Sequence, residues 1–137
     1  MLMGFNLTHQ QLKAAEKRVY SQGGQDGVLE AIFKQIGEGN KYFVEFGARD
    51  GVECSNTANL RINKGWKGLL MDSEPLDEIV KEEVITKDNI NSILEKYHAD
   101  NIDYISIDVD GNDLWIWKAL INKPRVVTIE HNSKFRN

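Results

Sequence analysis

The chain has 137 residues, enough for one domain with a real hydrophobic core and too few for a second. Its net charge of −4 argues against the broad basic surface that nucleic-acid binding needs, and no stretch approaches the ~20 apolar residues of a membrane span. Cys54 is the only cysteine, which rules out an internal disulfide and fits a reducing compartment; residues 1–20 are too polar for a signal peptide, so the sequence reads as cytoplasmic.

In chain order, Thr8-His-Gln-Gln11 is a capping box, and Leu12, Ala15 and Val19 recur at helical spacing behind it. Ser21-Gln-Gly-Gly-Gln-Asp-Gly27 is a polar, glycine-rich break. A second helix is predicted over 26–36, with Val28, Leu29, Ile32, Phe33 and Ile36 on its buried face and Gly37 and Gly39 to stop it. Strands and helices then alternate. Strands are predicted over 42–46, 67–71, 83–86, 104–107 and 125–129, and helices over 55–63, 76–81, 89–97 and 112–121. Ser55 and Asn112 are candidate N-caps, and Trp117 is placed in the core with Leu114 and Ile121. The alternation implies right-handed βαβ crossovers and a parallel sheet covered on both faces. The expected fold is α/β: a Rossmann-like doubly wound sheet of five mainly parallel strands in the order 3-2-1-4-5. It forms a single domain over 1–137, with an N-terminal helical segment at 1–37 and the α/β core at 41–132.

Four of the five predicted strands end in, or run into, an acidic residue: Glu45 with Asp50, Asp72 with Glu74, Asp108 with Asp110, and Glu130. The third strand is followed by Asp88. The carboxyl ends of a doubly wound sheet form one edge, so these carboxylates gather along one cleft. Such a cleft suits a cationic ligand, a metal ion or ribose hydroxyls. Lys41-Tyr-Phe-Val-Glu-Phe-Gly-Ala-Arg-Asp-Gly51 runs from the first strand into a turn with two glycines, where backbone can approach a ligand closely. Asp72, about 20 residues beyond that turn, can accept from both ribose hydroxyls of an adenosine or cap the next turn. The turn lacks the full dinucleotide spacing, and Asp50 and Glu53 would repel a pyrophosphate. An adenosine ligand without phosphates and with a cationic tail satisfies these features, and S-adenosylmethionine fits that description.

Val44-Glu-Phe-Gly-Ala-Arg-Asp-Gly51, Leu70-Met-Asp-Ser-Glu-Pro75 and Ser106-Ile-Asp-Val-Asp-Gly111 resemble successive motifs of the Rossmann-like methyltransferases. The third, together with Asp113 and Val127-Thr-Ile-Glu130, is most similar to the FkbM-type O-methyltransferase family, and Ser21-Gln-Gly-Gly-Gln-Asp26 resembles a segment of that group. The resemblance covers roughly residues 20–132. It implies that Glu45, Gly47 and Gly51 bound the methionine end of S-adenosylmethionine, that Asp72 holds the ribose, and that Asp108 lies beside the sulfonium and the substrate. Asp88 and Asn89 would recognise the adenine, cap the following helix, or both. The implied reaction is O-methyl transfer to a small-molecule or carbohydrate-like acceptor.

Asp108, Asp110, Glu130 and Asn132 all present oxygen ligands at neighbouring strand ends, a set suited to Mg²⁺ or to helix capping and solvation. His131 is a candidate general base, as its ordinary pKa would permit, or a surface histidine. Arg49 is a candidate anchor for a carboxylate. The family usually continues with a helix and an antiparallel strand pair after the fifth strand, and that pair is lacking here. The fifth-strand edge is therefore a candidate for pairing with a second copy or a partner chain. The alternative to an enzyme is a non-catalytic S-adenosylmethionine- or nucleotide-binding module, or a truncated methyltransferase.

Overall fold

The computed structural model describes residues 6–109 and 111–130. Its first helix, α1 (His9–Ala14), starts in a closed capping box: the Thr8 hydroxyl accepts from Gln11 N, and Thr8 N donates to the Gln11 side chain. The helix ends before Val19, which stays exposed. In α2 (Gln25–Ile36), Leu29 and Phe33 are buried while Val28, Ile32 and Ile36 are half-buried. The segment between the two helices is held by one carboxylate. Buried Asp26 accepts on a single oxygen, Oδ2, from the amides of Val19, Tyr20 and Ser21 and from the Ser21 hydroxyl, at 2.7–2.9 Å.

The sheet contains β1 (Tyr42–Phe46), β2 (Lys67–Asp72), β3 (Lys81–Glu82), β4 (Tyr104–Ile107) and β5 (Val126–Ile129). The spatial order is β3-β2-β1-β4-β5, and every pair is parallel. Helices α3 (Ala58–Asn63), α4 (Ile90–Lys96) and α5 (Asp113–Ala119) complete the alternation. Successive side chains of a strand face opposite ways, and β1 uses both directions. Phe43 packs with Leu29, Phe33, Leu60 and Trp66 beneath α2 and α3. Val44 and Phe46 pack with Ile90, Ile93, Leu94 and Ile116 beneath α4 and α5. Two-sided burial explains why β1 and β4 read as nearly continuous apolar runs.

Four elements beyond α1 differ from the sequence expectation. The helix predicted over 76–81 is a turn, in which Asp77 Oδ1 accepts from Ile79 N and the Asp77 carbonyl from Val80 N. A short acidic side chain that satisfies nearby amides competes with the helix ladder. The third strand, expected over 83–86, lies instead at Lys81–Glu82, and none of the expected residues belongs to it. The helix expected from residue 55 begins at Ala58, because Ser55 Oγ accepts from the amides of both Thr57 and Ala58 and organises a turn first. Leu114 is 52% exposed and Ile121, beyond the end of α5, is 77% exposed, so neither joins Trp117 against the core.

Replacing Asp26 by Ala strands the donors that converge on its carboxylate. The expected loss is about 3 kcal/mol of folding stability, read as a lower urea midpoint at unchanged slope. A loss below about 0.5 kcal/mol, the range of ordinary surface substitutions, would show that the segment is held by other contacts.

Candidate functional site

Strand order reverses between β1 and β4: the chain leaves β1 toward β2 on one side and returns to β4 on the other. The crevice beyond the carboxyl ends of the strands at such a point is the ligand site of open α/β sheets. Gly47 opens it here. The amides of Gly47 and Ala48 both donate to the Met71 carbonyl, at 2.9 and 3.0 Å, and Gly47 turns at φ +79°. A Cβ at this position would lie 1.8 Å from the Asp108 carbonyl oxygen. Only glycine therefore lets the end of β4 close against the turn.

Asp72, the last residue of β2, joins this turn to the next one. Its Oδ2 accepts from Arg49 N and its Oδ1 from Glu74 N, both at 2.8 Å. The Arg49 carbonyl in turn accepts from Leu76 N, and the Asp72 carbonyl from Glu83 N, each at 3.0 Å. A carboxylate has about four lone-pair sites, so two amides orient Asp72 and leave acceptor capacity on both oxygens.

The cleft so formed has a volume of ≈ 670 Å³. Asp72, Glu74, Glu83 and Asp108 line it with Arg49, and Leu76, Val84, Ile85 and Val109 supply apolar surface. Glu83 is paired with Lys96 at 2.5 Å and accepts from the Tyr97 hydroxyl at 2.8 Å. The hydrogen bond from Lys96, ahead of that from Tyr97, holds the Glu83 carboxyl below its ordinary range. Lys96 offsets the charge of Glu83, and among the described lining residues the carboxylates of Asp72 and Glu74 outnumber the Arg49 guanidinium.

Glu45 has a different place. It lies on the Phe43 face of β1, beneath the start of α3, and is buried. Its Oε2 accepts from the hydroxyls of Ser55 at 2.7 Å and Thr57 at 2.6 Å, and its Oε1 from Asn56 N at 2.9 Å. Burial pushes its pKa above the ordinary value, and the hydrogen bonds from Thr57, Ser55 and Asn56 restrain the rise. The carboxylate shapes the floor behind the turn and does not line the cleft. Gly51 is also behind it, at φ +75°, with the Leu70 and Ile79 side chains where a Cβ would point. Asp50 is engaged within its own turn, where the Val52 amide is the leading cause that holds its carboxyl below the usual range.

Asp88 lines a ≈ 270 Å³ cavity with Lys87 and Trp115; Thr86 and Asn112 line both this cavity and the main cleft. Asn89 shapes the loop between them, accepting from Thr86 N and donating to the Val84 carbonyl, both at 2.7 Å. Although it occupies the N-cap position of α4, its side chain makes no capping bond. Asp108 also borders a third, ≈ 100 Å³ cavity, where Glu130 joins it. Asp110, His131 and Asn132 lie outside the described residues. Among the described residues no group of three or more His, Cys, Asp or Glu side chains could hold a metal. No helix of the described residues is long and apolar enough to cross a membrane.

Comparisons of the chain with family models, with curated proteins and with solved structures give no match. The site therefore stands on its own geometry. Of the residues expected to hold a cofactor, Gly47, Asp72 and Asp108 line one cleft and Asp88 borders its extension, while Glu45, Gly51 and Asn89 shape the loops around it. Leu76 and Val84 were missed. Their signal was an apolar residue set among acidic ones just past a strand end, and both remain two-thirds exposed, at 67% and 66%.

Gly47→Ala is expected to cost about 3 kcal/mol and to shift the Asp108 amide resonance. An unchanged melting curve would contradict the close approach. Glu45→Ala removes the acceptor of two buried hydroxyls and of the half-buried Asn56 amide and is expected to cost about 2–4 kcal/mol, whereas Glu45→Gln retains the acceptor for Asn56. The folded state holds the Glu45 proton more tightly than the unfolded chain. Its contribution to stability is therefore complete below the ordinary value of 4.5 and is lost as the pH rises through the raised folded value. Urea midpoints measured across that window should decline in the wild type relative to Glu45→Gln; parallel curves would contradict the raised value.

Proposed function

We propose that the chain is an S-adenosylmethionine-dependent methyltransferase of the FkbM type, which moves a methyl group to an oxygen of a small-molecule or carbohydrate-like acceptor. The observation that carries this reading is Asp72: a strand-end carboxylate, oriented by the Arg49 and Glu74 amides, at the rim of an acidic cleft at the strand-order reversal. Its remaining acceptor sites suit the paired hydroxyls of a ribose.

The cleft volume of ≈ 670 Å³ is in the range of small-molecule sites, about 300–1,000 Å³. Its negative balance favours a cationic tail and disfavours a pyrophosphate. Leu76 and Val84 offer apolar surface for a flat base, and Asp88, in the adjoining cavity, offers an acceptor for an exocyclic amine. The cofactor supplies a methyl group on a cationic sulfur, which becomes a neutral thioether when an acceptor oxygen takes the carbon. In this reading Asp72 fixes the nucleoside, and the turn at Gly47 fixes the distance to Asp108. The Asp108 carboxylate takes the proton released by the acceptor hydroxyl. Catalysis is then mainly a matter of holding oxygen and methyl carbon in line.

Calorimetric titration with S-adenosylmethionine and S-adenosylhomocysteine tests the reading. Wild type should bind both, and Asp72→Asn, which retains one acceptor oxygen, should bind them about 10–100-fold more weakly. Absence of binding by the wild type would end the proposal. Binding without transfer to any of a broad panel of hydroxyl acceptors, with Mg²⁺ or with EDTA, would leave a cofactor-binding module.

A further inference from the structure

We propose that Lys96, from outside the main cleft, sets how strongly the cleft prefers a cationic ligand to its neutral counterpart, by offsetting the Glu83 carboxylate within it. The proposal rests on the methyl-transfer reading and deepens it, because the cofactor of that reading has one positive charge fewer once its methyl group has left.

The pair spans the cleft wall. Glu83 directly follows β3, and its amide donates to the Asp72 carbonyl at 3.0 Å, which fixes its backbone beside the end of β2. Its side chain lines the cleft and is 15% exposed. Lys96, in the last turn of α4, does not line the cleft; its side chain is 61% exposed and its Nζ reaches Glu83 Oε1 at 2.5 Å. The anion thus borders the ligand space while the cation stands toward solvent. Two contacts keep this arrangement. The Tyr97 hydroxyl donates to the same Oε1 at 2.8 Å, and Lys96 Nζ lies 5.0 Å from the centroid of the Tyr97 ring. That ring packs against the core. A cation over an aromatic face is attracted by the ring quadrupole, so a long surface side chain is kept at the carboxylate. Both bonds fall on Oε1, which leaves the acceptor sites of Oε2.

Electrostatics gives the pair its reach. A ligand charge in a cleft of ≈ 670 Å³ lies within about 10 Å of Glu83, the screening length at 0.1 M salt. One uncompensated carboxylate at that range changes the affinity for a unit charge roughly threefold to tenfold at the effective dielectric of a partly exposed site. Methyl transfer removes positive charge, so surplus negative charge holds the starting cation more firmly than the transition state, which slows the chemical step. Lys96 cancels that surplus at the wall and still leaves Glu83 as a hydrogen-bond acceptor.

The test is the ratio of the affinities for S-adenosylmethionine and S-adenosylhomocysteine, measured by calorimetry; a general loss of packing cancels in it. Relative to wild type, Lys96→Met should raise the preference for the cation about threefold to tenfold, and Glu83→Gln should lower it by a similar factor. Lys96→Arg, and the double variant carrying Lys96→Met and Glu83→Gln, should stay within about twofold of wild type. The shifts of the single variants should shrink in about 0.5 M NaCl. Where Glu83→Gln fails to fold, Lys96→Glu takes its place and should prefer the cation more than Lys96→Met does. An unchanged ratio in folded Lys96→Met, or a double variant displaced as far as either single one, would overturn the proposal and leave the cofactor reading standing. A wild type that binds neither compound would end both.

Discussion

Arg49 and Glu74 belong to different turns, one after β1 and one after β2, yet their amides meet on the single carboxylate of Asp72. Parallel neighbours have no hairpin to join their ends, and the loops that leave them are free to diverge. A carboxylate at the end of one strand is a short, charge-assisted way to tie such loops together. Much else follows from this tie. The Arg49 carbonyl holds Leu76, and the Asp72 carbonyl holds Glu83 at the end of β3, so both apolar and acidic walls of the cleft are referenced to β2.

The same chemistry recurs at different depths. Asp26 ties the N-terminal segment to α2, and Glu45 ties β1 to the approach of α3. Asp113 holds the loop after β4 through Val109 N and Gly111 N. At the opposite edge of the sheet Asp103 accepts from Gly39 N and Lys41 N and faces Arg125 at 3.3 Å. Each of these four is buried. Asp72 and Glu83 are half-buried and Glu74 and Asp108 exposed, and these four line the cleft. The four buried carboxylates act wholly within the fold, whereas those of the cleft keep surface open to solvent.

That division explains what was legible in the sequence. Strand alternation, order and burial were legible because two-sided packing writes apolar runs into 42–46 and 104–107 and a helical period into 26–36. Asp72 was legible because its distance from the glycine turn reflects one βαβ unit. Glu45 looks the same in sequence, an acid near a strand end, but its neighbours Ser55 and Thr57 lie ten or more positions away and their convergence depends on how α3 begins. The turn at Asp77 was misread as helix because a side chain that satisfies its own backbone leaves the periodic pattern intact. The ≈ 100 Å³ cavity beside Asp108 was not legible at all, since it joins the residue-22 turn to the ends of β4 and β5.

The adjacency of β1 and β4 has a consequence for how the molecule matures. Phe43 pairs with Tyr104 across a segment that contains α3, β2, β3 and α4, whereas β1 pairs with β2 across α3 alone. Contacts of long sequence separation carry the greater loop-closure cost. A chain that has formed only β1, β2 and β3 already has the Asp72 tie but neither Asp108 nor the Gly47 contact against β4. The cleft is therefore complete only once β4 has paired with β1.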